Sequence, residues 1–167
     1  KVARDGCKPY AIVDSCERSA GGVTGAVDKV GRMLSVPLEP EGRPICRHEL
    51  GHVRWPLLAP PRVRFDPRVL AAVEDARVNL ALRAAGVPVE LGEVGDLHIA
   101  WLLASDAKRG DGFALFMRGV ASVGTSVEPI LCEQLARLGE HQADLALDSA
   151  RRVREVLEKA RLRAGGR

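Results

Sequence analysis

Five consecutive residues, His48-Glu49-Leu50-Gly51-His52, hold the most chemically specific pattern in this chain. Residues four apart stack on one face of a helix, so the two imidazoles can offer a nitrogen each to one metal ion. Glu49 is turned about 100° from His48, where its carboxylate reaches a water beside the metal rather than the metal itself. Two neutral nitrogen ligands with a base next to them are what metal-assisted hydrolysis requires. The metal acidifies a water, and the carboxylate takes its proton. Zinc used in this way still needs a third protein ligand and an open fourth position.

The stretch Val73-Glu74-Asp75-Ala76-Arg77-Val78-Asn79 offers a place for that ligand. Glu74 follows Val73 on the border of an apolar helical face, where a carboxylate is costly unless a cation neutralises it. Zinc is one such cation, and Arg77, one turn away, is another. The interval from His52 to Glu74 gives room for a loop and two turns of a second helix. Packed side by side, the two helices would bring His48, His52 and Glu74 to one point. Asp75 is the alternative ligand, because adjacent helical positions point 100° apart. A group to stabilise the oxyanion is less defined. His98, Tyr10, His141 and Arg77 are the candidates. His98, close to Asp96 and Trp101, better suits a capping or half-buried histidine, and His141 beside Glu140 suits the surface.

His-Glu-x-x-His followed by a glutamate on a second helix resembles the gluzincin metallopeptidases. The finer form, His48-Glu-Leu-Gly-His52 and then Glu74-Asp-Ala-Arg77, is similar to putative bacterial and phage metallopeptidases linked to von Willebrand factor A-type domains. The resemblance covers residues 23–85, about half the chain. It implies a zincin-like fold and one Zn²⁺ held by His48, His52 and Glu74, with Glu49 as the general base. It also implies that Asp75 orients a histidine, or replaces Glu74, and that Arg77 holds the carboxylates in place. The implied substrate is a peptide or protein, and the implied partner is a von Willebrand factor A-type domain or protein. The other reading is a catalytically silent zinc-binding scaffold of a phage or mobile-element assembly. Intact Glu49 weighs against it, since a purely structural zinc has no use for a base.

Composition sets the frame for these residues. A length of 167 residues with 46% hydrophobic and 28% charged side chains predicts a single globular domain with a continuous core. A net charge of +3 and only 4% aromatic residues leave little from which to build a nucleic-acid surface. The arginines between Arg151 and Arg167 alternate with Glu155 and Glu158, as on a solvated helix face. There is no apolar run long enough for a membrane span, and no signal peptide is visible, so the expected compartment is the cytoplasm. Cys7, Cys16, Cys46 and Cys132 lack ribbon or redox spacing and suit free thiols, with a Cys7–Cys16 bridge as the exception to test. Cys46 lies off the ligand face and reads as a core residue.

The elements that must position the site are legible from punctuation. The fold class expected is α+β, mainly helical. Residues 1–43 form an N-terminal segment with a hairpin, 44–86 the two metal-site helices, and 96–164 a helical C-terminal bundle. Residues 1–22 resist assignment, although Tyr10-Ala-Ile-Val13 is apolar. Val23–Leu38 suits a hairpin turning near Asp28–Gly31, with a helix through Val27, Val30 and Leu34 as the competing pattern. The strand Arg32–Leu38 could accept an extended substrate as an added strand. Pro44 opens the histidine helix, which stops before Pro56, and Pro56–Arg64 is an extended connection. Asp66-Pro67 caps the second helix, whose apolar positions are Val69, Leu70, Val73, Leu80 and Ala84, and Gly86-Val-Pro88 ends it. Further helices start after Asp96, Asp111 and Ser126. The last, from Glu140 to Ala164, is apolar at Leu145, Ala146, Ala150, Val153 and Leu157, and Gly165-Gly166-Arg167 frays.

Overall fold

The computed structural model describes residues 2–5, 8–14, 26–28, 31–36, 38, 43–55, 65–89 and 96–165. Among the described residues, six helices and a small sheet make the fold mainly helical. The chain divides into two compact units, Lys1–Arg62 and Val63–Arg167. The expected Pro56–Arg64 connection, the Cys7–Cys16 pair and the frayed Gly166-Arg167 lie outside the described residues.

The first unit contains strands β1 (Val2–Asp5), β2 (Lys8–Asp14), β3 (Ala26–Asp28) and β4 (Met33–Val36), followed by helix α1 (Arg43–Arg54). The sheet order is β1-β2-β4-β3. β1 and β2 pair antiparallel, as do β3 and β4, and β2 runs parallel to β4 with Ala11 opposite Met33. The hairpin is therefore present, and the helical spacing of Val27, Val30 and Leu34 loses to its turn. The Asp28 carboxylate accepts the Gly31 N–H at 2.8 Å, and a Cβ on Gly31 would stand 2.4 Å from Asp28 Oδ2. Arg32 takes φ 54, the left-handed conformation that reverses the chain. The Tyr10–Val13 run lies within β2.

One expectation is corrected here. β4 is not an edge: β2 and β3 use its backbone groups on both sides. No substrate strand can add along Met33–Val36, and the sheet's edges are β1 and β3. The interior place of β4 explains its burial, with Leu34 and Val36 at 0% and 1% exposure. α1 lays Cys46, Leu50 and Val53, spaced i, i+4, i+7, against Leu34, Val36 and Ile12. That stripe fixes the helix on the sheet. His48 and His52 lie more than a quarter-turn away from it, by 100° per residue.

The second unit is a helical bundle of α2 (Pro67–Ala84), α3 (Asp96–Lys108), α4 (Gly112–Ala121), α5 (Glu128–Leu138) and α6 (His141–Gly165). Asp66 caps α2 by accepting the Arg68 N–H at 2.8 Å, and Asp111 caps α4 through Ala114 at 2.9 Å. Gly86 and Gly139 take positive φ just past α2 and α5. The main core joins Ile99 and Leu103 of α3, Leu115 of α4, Leu131 and Leu135 of α5, and Ala143, Ala146 and Leu147 of α6. A second cluster packs Ala76 and Leu80 of α2 against Val123 and Ala150.

Three local expectations change. Ser126 does not cap α5: the cap position is Val127 with no side-chain bond, and Glu128 instead accepts the Gly124 N–H at 2.7 Å. Leu145 is 53% exposed, because the inward stripe of α6 runs through Ala143, Ala146, Leu147 and Ala150, where small residues let helices approach. Ala84 is exposed, and the buried face of α2 is built on Ala72, Ala76, Asn79 and Leu80. Asn79 can sit there because its Nδ2 donates to the carbonyls of Ala121 and Val123, each at 3.2 Å. Gly124 makes this approach feasible. It has φ +85, and a Cβ there would fall 2.9 Å from that of Asn79.

Candidate metal centre

α1 brings two ring nitrogens to one point. The Nε2 atoms of His48 and His52 are 3.1 Å apart, with ring centroids 4.8 Å apart and planes at 82°. Two nitrogens bound to one tetrahedral zinc at about 2.05 Å would be separated by about 3.3 Å. The observed spacing fits that arrangement, and it also suits one N–H bridging two neutral rings. His52 and Glu49 are each 8% exposed, so the Glu49 carboxylate is held away from bulk water on the same helix as the two imidazoles. His48 is half-buried.

In α2, Glu74 and Arg77 form a two-pronged ion pair one turn apart. Arg77 Nε donates to one carboxylate oxygen of Glu74 and a terminal guanidinium nitrogen to the other, both at 2.7 Å. The neutralising cation expected for Glu74 is thus Arg77, and both carboxylate oxygens are engaged. Asp75 is half-buried on another side of the helix, the side it shares with the buried Val78 and Leu82 at i+3 and i+7. Each unit thus carries part of the expected donor set, His48 and His52 in the first and Glu74 and Asp75 in the second. Arg77 spends its guanidinium on Glu74, which places it as a partner of that carboxylate.

Tyr10 stands on β2 and His98 in α3, and neither side chain is among those described. His141 opens α6 on an exposed position, as its neighbours suggested. Cys46 and Cys132 are free thiols. Half-burial raises the Cys132 thiol above its usual value, with Glu128 adding to the effect.

The sequence reading overlooked Asp106, which is 1% exposed. Arg109 and Arg118 both pair with it, the latter through Nε at 2.5 Å. The arginine three residues on was the available signal. With two guanidiniums neutralising it, this carboxylate is a structural tie between α3 and α4 and has no spare capacity for chemistry. Beside it an apolar cavity of ≈ 390 Å³ opens between α3, α4 and α5, without the ligands or base that hydrolysis needs.

Compared with protein-family models, with curated proteins and with solved structures, the chain matches none. The reading of the site therefore stands on its own residues. No helix among the described residues is long and apolar enough to cross a membrane.

Proposed function

We propose that this chain is a zinc-dependent metallopeptidase of the gluzincin type, acting on a peptide or protein substrate. The observation that carries the reading is the convergence of His48 Nε2 and His52 Nε2 at 3.1 Å on the helix that also buries Glu49. The ligand set would be His48, His52 and Asp75. Glu74 is the alternative third ligand: the Arg77 fork orients its carboxylate, whose oxygens keep lone pairs able to meet a metal. Two imidazoles and one carboxylate are a donor set suited to zinc with one position left for water. When bound, zinc supplies Lewis acidity that acidifies water and polarises the scissile carbonyl.

The chain's own residues do the rest. Glu49, one residue from His48 and buried, accepts a proton from the attacking water on a carboxylate oxygen. It then returns that proton to the leaving amine nitrogen, so that one peptide bond and one water become a carboxylic acid and an amine. Burial strengthens this base's interactions with charge that develops beside it. Arg77 keeps Glu74 neutralised and α2 in register, a positioning role. A von Willebrand factor A-type partner belongs to the same proposal.

The test is metal analysis combined with a protease screen. The protein should bind one equivalent of zinc and cleave members of a peptide library. Asp75→Ala should abolish stoichiometric zinc, and Glu74→Ala should retain it. A protein that binds no zinc after addition of the metal overturns the reading. Zinc bound with no cleavage of any library member or co-produced protein would support the silent scaffold instead.

A further inference from the structure

A second feature lies wholly within the helical unit and is independent of the histidine site. A cavity of ≈ 200 Å³ lies between the C-terminal part of α2 and α6, lined by Leu80, Arg83, Ala84, Arg154, Glu158 and Arg161. We propose that it binds a phosphate group, free or as the end of a small phosphomonoester, through Arg83 and Arg161 above a fixed Arg154.

Arg154 is anchored from two directions. Its Nε donates to Glu128 Oε1 at 2.8 Å, a terminal nitrogen pairs with Glu128 Oε2, and the other donates to Glu158 Oε1 at 2.9 Å. The two carboxylates near the cavity are thereby committed to Arg154. Among the described residues, neither the Arg83 nor the Arg161 side chain has a hydrogen bond or an ion pair. Three guanidiniums, Arg83, Arg154 and Arg161, meet two carboxylates, Glu128 and Glu158, which leaves one positive charge in excess at the cavity. The helix end offers Arg83 no alternative role as a cap. The carbonyls of Ala81, Leu82 and Arg83 accept backbone N–H groups of Ala85, Gly86 and Val87.

Like charges brought together in a concave site attract an anion, and guanidinium forks match the edges of a tetrahedral oxyanion. A planar carboxylate presents one such edge, whereas a phosphate dianion presents several and can satisfy both arginines. The volume admits a phosphate group with a few waters and excludes a polymer lying along the site, so the ligand enters end-on. Leu80 and Ala84 contribute an apolar wall that lowers the local dielectric and strengthens the charge-assisted bonds.

The experiment titrates inorganic phosphate, glycerol 3-phosphate and acetate into the full chain, purified without added zinc, at constant ionic strength in chloride. Binding is read by calorimetry and by the shift in melting temperature. Phosphate or its monoester should bind with Kd of about 1 mM or tighter, with the stronger of the two naming the physiological form. Arg83→Ala and Arg161→Ala should each weaken binding about tenfold. Neither variant removes a contact found in the fold, so both should keep the parent melting temperature without ligand. Arg152→Ala, an exposed arginine of α6 outside the cavity lining, should bind as the parent does. The proposal is overturned if neither phosphate ligand binds, if acetate binds equally well, or if Arg152→Ala weakens binding as much as the cavity variants.

Discussion

Helix α1 and the α3–α4 pair both bury ionisable side chains, and different kinds of group come together in each. Asp106 sits at 1% exposure between Arg109 and Arg118, so its charge is balanced by oppositely charged neighbours supplied by the bundle. The same holds for Glu128 with Arg154, and for Glu74 with Arg77. In α1 the close neighbours are alike: two imidazole nitrogens lie 3.1 Å apart, with a buried carboxylate one residue on. Opposite charges facing each other make a structural tie. Like donor atoms facing each other are what a ligand set requires. On the proposed function, the difference separates a site built for stability from one built to take up a cation, and it is read from which group faces which rather than from how deeply each is buried.

The sharpest way to break this contrast is in α1 itself. His52→Ala should lower zinc affinity by at least about 100-fold, because two protein ligands hold zinc far less well than three. Glu49→Gln should keep the metal while any hydrolysis falls by about 100-fold or more. Zinc content by mass spectrometry, measured alongside cleavage, separates the two effects. If both variants retained zinc and neither changed turnover, the histidine pair would be another structural tie and the contrast would vanish.

The bundle's side of the contrast predicts loss of stability without loss of metal. Asp106→Ala removes the partner of two guanidiniums and should cost about 3 kcal/mol, the lower end for breaking a buried pair, since both arginines can turn to water. Asn79→Ala strands the carbonyls of Ala121 and Val123 and should cost about 2 kcal/mol. Urea titration gives both numbers, and zinc stoichiometry of the folded variants should stay unchanged. An unaltered midpoint for Asp106→Ala would show that the bundle does not depend on its ion pairs.

How much of this was legible follows the same division. The histidine motif, the Asp66-Pro67 start, the Asp111 cap and the Asp28–Gly31 turn are local: a few adjacent residues dictate each geometry, and the structure shows all of them. The interior place of β4 was not legible, because it depends on β2, a strand far from it in sequence, lying parallel to it; the Asp5-Gly6 pair before β2 marks a hairpin with β1 but says nothing of that pairing. The outward turn of Leu145 was hidden for a related reason. Hydropathy favours leucine over alanine, while close helix packing favours Ala143 and Ala146. Asn79 reads as polar and exposed until its carbonyl partners, more than 40 residues away, are known. For Glu74, the sequence named two cations, zinc and Arg77, and the geometry of the guanidinium fork favours the arginine.

The smallest effect tests whether charge pairing in the bundle extends to its exposed edge. Asp66 is held below the usual carboxylate value, first by the side chain of Arg68 and then by the Arg68 N–H that it caps. A group whose folded value is depressed adds stability above its unfolded value of 3.8, and that stability is lost as pH falls through the folded value. Asp66→Ala should therefore lower the melting temperature by a few degrees at pH 7, and the gap to the parent should close as pH drops below about 4. Because Asp66 faces water, salt should narrow the gap at pH 7 as well. A gap that persisted unchanged at low pH would show that neither the Arg68 ion pair nor the charge on the capping carboxylate carries the effect. Exposed Asp66 would then differ in kind from buried Asp106, and burial would be what makes pairing matter in this bundle.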